Sequence, residues 1–471
     1  MLGLFVAVPY ALGIISAVDA VMSARTSQGS IAWAVALISF PYVSVPAYWI
    51  LGRSQFQGYV TARRADNALT ESLGGRASDQ IRQFLLTDSE TPPAARAAER
   101  LAHLPFVRGN DVELLIDGDD TFSSILDGID AAENYILFQF FIVKDDQIGR
   151  ELQSRLIAKA RAGVRVYFLY DEVGSYSLSN RYKNELREAG VEVYNFHSRR
   201  GPRNRFQINF RNHRKIVVVD GRVAWIGGHN VGDEYLGRDP KWGHWRDTHV
   251  RIEGPAALAA QLSFTEDWHW ATDDVPELDW TPRAGPRDSD VPVLIIPSGP
   301  ADEFETAALM FTHAINSATE RIWIASPYFV PDEAILSALH LAGLRGVDVR
   351  ILIPDKADHL LVYLAAFSYF EDAIAGGVEF YKYTDGFLHE KVMLIDDIAA
   401  AVGTANFDNR SFRLNFEITA LVTDSTFTRE VEEMFETDFA SSRRVRAREY
   451  SDRPFWFRLA VRLARLTSPI Q

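Results

Sequence analysis

The chain has no cysteine, which excludes disulfides and leaves the redox compartment open. Nor does it have a basic excess: 49 Lys and Arg against 63 Asp and Glu give a net charge of −14. Such a balance argues against a protein that coats nucleic acid through a general electrostatic field. No basic residue precedes the first apolar run, as a cleaved secretory signal would require. His229, His244, His249 and His269 crowd one region, but no carboxylate or thiolate cluster accompanies them at ligand spacing, so no metal site is expected.

What the amino-terminal part does have is apolar length. Leu2 to Val18 carries no charge, and Ile31 to Gly52 is a second uncharged stretch. At about 1.5 Å per residue the second spans the roughly 30 Å of a bilayer core, and the first spans it by continuing past Asp19 to Met22. These runs predict a transmembrane helical hairpin turning near Ser23 to Ser30. Arg53, Arg63 and Arg64 after the second span outnumber Arg25 in the turn, which places the large domain in the cytoplasm.

One pattern occurs twice. His213, Lys215 and Asp220 in HRKIVVVD are matched by His389, Lys391 and Asp396 in HEKVMLID. Downstream, Gly227-Gly228-His229-Asn230 answers Gly403-Thr404-Ala405-Asn406. Both copies read as a buried strand entering a glycine turn, with His and Lys two apart on one face. Lys supplies a fixed positive charge, and imidazole acts as nucleophile or proton carrier near neutral pH. Two copies facing each other across a pseudo-twofold axis would let one His attack phosphorus while the other protonates the leaving alcohol; a single pair could merely cap a strand. Asp220 and Asp396 fall on the face opposite their lysines and are expected to hold the strand end. Asn230 and Asn406 are candidates to donate to phosphate oxygens or to stabilise their turns. Asp247 in WRDTH and Glu417 in LNFE are candidates to orient the imidazoles, the alternative being surface salt bridges.

The repeat extends over whole halves. Strand predictions at Val112–Ile116, Tyr135–Phe141, GVRVYFLYD and AGVEVY correspond to Val293–Ile296, Ile322–Tyr328, GVDVRILIPD and GGVEFY. Helices are predicted at Thr121–Glu133 and Gln147–Ala162 in one half, and at Ala301–Thr319 and Asp332–Arg345 in the other. The expected organisation is two transmembrane helices in 1–53, a connector in 54–110, a first half in 111–271, a linker in 272–291, a second half in 292–440 and an amphipathic tail in 441–471. The first half holds 11 extra residues between its Gly190 and His213, and they carry most of an acid-free basic run from Arg199 to Lys215. An arginine loop suits anionic lipid headgroups, with a solvated loop or a nucleic-acid patch as alternatives. Phe455 to Leu466 reads either as a basic amphipathic helix in a membrane interface or as a packing helix.

The duplicated motif resembles the HKD signature of the phospholipase D superfamily, and within it the chain is most similar to the bacterial cardiolipin synthases. The resemblance rests on NFRNHRKIVVVDGRVAWIGGHNVGDEYLGR, WRDTHVRIEGPA, SPYFVPDEAILSALHLAGLRGVDVRILIPDKAD and GTANFDNRSFRLNFEITALV, and it covers nearly the whole chain. Glu390 departs from the small residue usual between the second His and Lys, at a position expected to face away from the site. The resemblance implies an α/β fold of two tandem phospholipase D-like sandwich halves behind the membrane hairpin. It also implies a phosphatidyltransferase that joins two phosphatidylglycerol molecules into cardiolipin and glycerol through a covalent phosphatidyl-histidine, without a cofactor. Acids near Asp247 and Glu417 support the histidines in that family. A hydrolytic phospholipase D, or a transferase drawing on phosphatidylethanolamine, is the alternative. The expected partners are phosphatidylglycerol, cardiolipin and the anionic surface of the bacterial inner membrane; the oligomeric state is left open.

Overall fold

A computed structural model describes residues 2–23, 27–52, 59, 80–86, 93–196, 209–286 and 289–471. Seven strands build the first half: β1 (Val107–Ile116), β2 (Tyr135–Phe140), β3 (Arg165–Asp171), β4 (Glu192–Phe196), β5 (Ile216–Val219), β6 (Val223–Gly227) and β7 (Thr248–Glu253). Seven build the second: β8 (Val291–Ser298), β9 (Arg321–Ala325), β10 (Asp348–Pro354), β11 (Val378–Tyr383), β12 (Val392–Ile395), β13 (Ala399–Gly403) and β14 (Asn415–Val422). Their spatial orders are β4-β3-β2-β5-β6-β7-β1 and β11-β10-β9-β12-β13-β14-β8, the same path in each half. β2, β3 and β4 run parallel, joined by helices Gln147–Arg161 and Asn180–Glu188. The remaining neighbours are antiparallel. This is the mixed sheet that a strand-helix-strand order requires when hairpins follow it.

The halves meet where β1 pairs antiparallel with β8, Val107 opposite Val293 and Asn110 opposite Val291. β1 therefore begins at Val107, earlier than the sequence suggests, because its first residues belong to this seam and only Asp111 onward pairs with β7. The register shifts between Val107 and Asn110, where Gly109 takes a φ of 80° open to glycine at little cost. Other bounds move for local reasons. The predicted strand to Tyr328 stops at Ala325, two residues before Pro327, and the helix predicted from Ala301 begins at Thr306.

Three apolar cores follow from strands buried on both faces. One lies under the helices of each half, and the third is shared, drawing Ile216, Val250 and Phe264 from the first half and Val392, Phe416 and Phe435 from the second.

The amino-terminal apolar runs form helices Leu2–Ser23, Ser27–Ser39 and Pro41–Ala47, then a wider turn over Tyr48–Gly52. The second run is thus not one continuous helix. It breaks at Phe40 because Pro41 has no N–H to donate and its ring crowds the preceding turn. Among the described residues, no helix is long and apolar enough to cross a membrane. Asp19 is not bare within this segment: its carboxylate accepts from Tyr48 Oη at 2.8 Å, and Trp49 Nε1 donates to Ser16 Oγ at 3.0 Å. Of the connector, helix Pro93–Ala102 is described.

Candidate active site

Two very short strands place the catalytic candidates. Arg211–Asn212, just ahead of the first motif, runs parallel to Asn415–Phe416, and Phe387–Leu388, just ahead of the second, runs parallel to Trp245–Arg246. The ladders continue one residue further, because the His213 amide donates to Phe416 O at 2.9 Å and that of His389 to Arg246 O at 2.8 Å. Each motif is thereby threaded into the opposite half, beside that half's acid.

The pairing of acids and histidines is consequently crosswise. His213 Nδ1 lies 2.9 Å from Glu417 Oε2, and His389 Nδ1 lies 2.7 Å from Asp247 Oδ2. Both candidate acids are buried, and each lies within hydrogen-bonding distance of the imidazole from the half it does not belong to. With Nδ1–H donated to carboxylate, Nε2 is the nitrogen left to meet a substrate on either ring. Glu417 is held in turn by Thr404 Oγ1 at 2.6 Å, Ser411 Oγ at 2.8 Å and Asn415 Nδ2 at 3.1 Å. Asp247 sits against Gly228, where a Cβ would fall 2.0 Å from Oδ1, so only glycine leaves room for the carboxylate. Thr404 occupies the corresponding place in the second half and bonds its acid instead.

Both lysines are buried beside their histidines. Lys215 Nζ donates to His213 O at 2.7 Å; Lys391 Nζ donates to His389 O and lies 2.8 Å from its Nδ1. Burial lowers His213 to about 4, with Lys215 and Lys391 adding to that shift and Glu417 opposing it. It also lowers Lys215 to about 7 against the pull of Glu417, and Lys391 to about 8 against that of Asp247. His389 is depressed by burial and then by Lys391, Lys215 and His213. The two histidines and two lysines therefore feel one another within a single electrostatic site. Glu417 is pushed up by burial but pulled further down by His213 and Lys215.

The signature aspartates lie at the far ends of their strands. Asp220 accepts from the amides of Glu133, Asn134 and Tyr135 at 2.7–2.8 Å, and Asp396 from those of Thr319, Glu320 and Arg321 at 2.8–2.9 Å. Both pin the start of a neighbouring strand and neither approaches the imidazoles. Asn230 is committed to its own turn, accepting from the Ile142 amide at 3.1 Å and donating to Tyr235 Oη at 3.2 Å. These bonds fit the turn-stabilising alternative for Asn230. Asn406 keeps a buried Oδ1 with no hydrogen-bond partner among the described residues.

The residues between His and Lys face away from the site, and the sequence did not disclose their partners. Arg214 is buried against Asp267 at 3.0 Å, not presented to a lipid. Glu390 bonds Arg246 and Thr248 of the first half at 2.9 Å, and Arg246 also holds Asp438 at 2.8 Å. One motif thus carries a buried guanidinium and the other a buried carboxyl that burial raises to about 8, each bonded behind the histidine. The four crowded histidines go separate ways: His229 and His249 meet at 3.1 Å, His244 bonds Asp117, and His269 lies in helix Ala257–Thr272. Arg199, Arg200, Arg203 and Arg205 of the insertion lie outside the described residues.

A family model described as cardiolipin synthase, PLD-like domain, matches residues 125–268 and 311–439, so it covers both motifs and both acids. The chain belongs to the cardiolipin synthase family. A second model, phospholipase D-nuclease N-terminal, matches residues 11–53. Cardiolipin synthase A of Pseudomonas fluorescens strain SBW25 is 48% identical over 100% of this chain and 98% of its own length. Its namesake in Pseudomonas entomophila strain L48 is 49% identical over 99% and 98%. The fold is shared with phosphatidylserine synthase of Haemophilus influenzae Rd KW20, at a TM-score of 0.59 and 16% identity over 81% of this chain and 100% of that one. Family membership makes the chain a phosphatidyltransferase of the phospholipase D superfamily.

Proposed function

We propose that the chain condenses two phosphatidylglycerol molecules into cardiolipin and glycerol at the site formed by His213, Lys215, His389 and Lys391. The observation that carries this reading is the crosswise pairing, which leaves two Nε2 atoms available to one phosphate, each ring oriented by a carboxylate from the other half. A neutral His213, favoured by its depressed pKa, attacks phosphorus through Nε2. The P–N bond forms as the P–O bond to glycerol breaks. His389 delivers its Nε2 proton to the departing oxygen. Burial disfavours a protonated His389 in the empty site, and the phosphodiester anion reverses that bias on binding. In the second step His389 takes the proton of the acceptor hydroxyl. That oxygen attacks phosphorus and the P–N bond breaks, returning His213 neutral. Lys215 and Lys391 become fully charged beside the bound anion and neutralise the equatorial oxygens in both transition states.

Residues 1–53 supply the membrane attachment in this reading, as a hairpin that keeps the catalytic halves on the cytoplasmic face. Ile14, Ile15, Val18, Ile31, Val35 and Val43 are exposed among the described residues, and the Asp19–Tyr48 bond satisfies the one acid among them. The 1–53, 54–110, 111–271, 272–291, 292–440 and 441–471 boundaries serve as its working division.

The test is direct. Purified chain in phosphatidylglycerol vesicles should release cardiolipin and glycerol in equal amounts without added metal, and His213→Ala and His389→Ala should each abolish turnover. Phosphatidic acid as the main product would establish hydrolysis instead. Normal activity in either variant would overturn the two-histidine scheme.

A further inference from the structure

Helix Phe455–Arg465 has two apolar faces, and among the described residues the protein covers only one of them. Phe457, Val461 and Ala464 pack on helix Leu360–Ala375, with the Phe457 and Phe367 rings 5.2 Å apart. The other face is bare: Phe455 is 72% exposed, Trp456 69%, and Leu459, Leu463 and Leu466 are exposed beside them. Arg458 and Arg462 are exposed along one margin of that stripe. Residues 441–471 carry eight arginines against Glu449 and Asp452, a strong positive excess in a chain whose net charge is −14.

The same helix Leu360–Ala375 leads to the catalytic site. Leu360 and Leu361 are exposed at its start, a turn before Tyr363, whose ring meets Phe367. Immediately ahead of it, Asp358 accepts from Tyr328 Oη, and His359 is close enough to depress His389 electrostatically. The covered face of the carboxy-terminal helix is therefore packed on the helix that follows Asp358 and His359, and its bare face points away from that contact.

We infer that the carboxy-terminal helix lies on an anionic phospholipid surface, with Phe455, Trp456, Leu459, Leu463 and Leu466 in the acyl boundary and Arg458 and Arg462 at the headgroups. Charge complementarity selects this occupant. A neutral protein partner would not need the arginine margin, and an acidic protein would not need five bare apolar side chains at helical spacing. The inference rests on the phosphatidyl-transfer reading for its choice of lipid. It gives the catalytic halves a second membrane contact, remote in sequence from residues 1–53, that holds the histidine site against the leaflet containing its substrate.

Because the chain has no cysteine, Leu463→Cys in the full chain accepts a single polarity-sensitive probe. The labelled protein is reconstituted in vesicles of phosphatidylcholine alone and of phosphatidylcholine with phosphatidylglycerol, each containing brominated acyl chains. Quenching and a blue shift should appear in the phosphatidylglycerol vesicles, and Arg458→Glu should weaken them about fivefold or more. The same substitution should leave turnover on phosphatidylglycerol in detergent micelles unchanged. Equal quenching in both vesicles, or a probe response that follows protein concentration in detergent and so assigns the face to a second copy, would overturn the inference. A lipid-dependent probe response without any cardiolipin formed would sink the transfer reading and leave the helix docking in place.

Discussion

At the scale of single residues, the decisive fact is that the Nδ1 of each histidine meets a carboxylate from the other half. In the proposed reaction Glu417 fixes the tautomer of His213 and Asp247 that of His389, and each carboxylate stabilises the positive charge its imidazole takes on. Glu417→Gln and Asp247→Asn should therefore each lower kcat by about 10²–10⁴-fold with little change in KM, since they alter proton position and leave the phosphate pocket intact. The two losses should differ in kind. Both substitutions should slow the one step in which the P–N bond forms and glycerol leaves, Glu417→Gln by impairing the attacking His213 and Asp247→Asn by starving His389 of the proton it delivers. A leaving group more acidic than glycerol separates them, because it should rescue Asp247→Asn and not Glu417→Gln. Single-turnover measurement with both donors makes the comparison, and equal rescue of the two variants would rule out this division of roles.

At the scale of elements, the motif strands β5 and β12 are legible because four consecutive apolar, mostly β-branched residues follow each lysine and both faces are buried. What is not legible is the exchange that pairs Arg211–Asn212 with Asn415–Phe416. Two-residue strands carry no periodic signal, and their partners lie about two hundred positions away in sequence. Arg246 escapes sequence reading for the same reason, since its contacts cross the halves, whereas Thr404 and Ser411 matter only by holding Glu417 within their own half. Parity places the strand-end aspartates opposite their lysines, and there they accept from backbone amides. Asp396 holds three backbone amides in a left-handed conformation of φ 48°, so Asp396→Ala should cost about 2–4 kcal/mol and leave kcat per folded molecule unchanged. Burial raises the Asp396 carboxyl, but the amides of Arg321, Glu320 and Thr319 outweigh it and the net shift is downward. Its contribution is thus complete above the unfolded value near 4 and fades as pH falls through the lower folded one. The stability gap between parent and variant, read from urea midpoints, should narrow below about pH 4. A variant of unchanged stability with a tenfold loss of kcat would instead put Asp396 in the chemistry.

At the scale of the whole molecule, the repeat predicts two like halves, and their identical strand order bears this out in detail. Sequence periodicity describes each half from within and is silent on the seam, because the β1–β8 pairing and the shared core are contacts between the copies. Those contacts, together with the Arg246 ion pairs to Glu390 and Asp438, make the active site a property of the interface. A first half alone would hold His213 without Glu417, and a second half His389 without Asp247. Covalent continuity between Arg283 and Ser289 should matter much less than non-covalent contact, since the crossed strands, the sheet seam and the buried ion pairs all survive a cut there. A protease site inserted in that stretch and cleaved after folding should leave the two fragments co-migrating in detergent, with kcat within about twofold of the uncut chain. Separately purified halves should be inactive and regain turnover on mixing. If cleavage released the fragments, or if one half alone formed cardiolipin, the site could not depend on the crosswise acids in the manner the geometry requires.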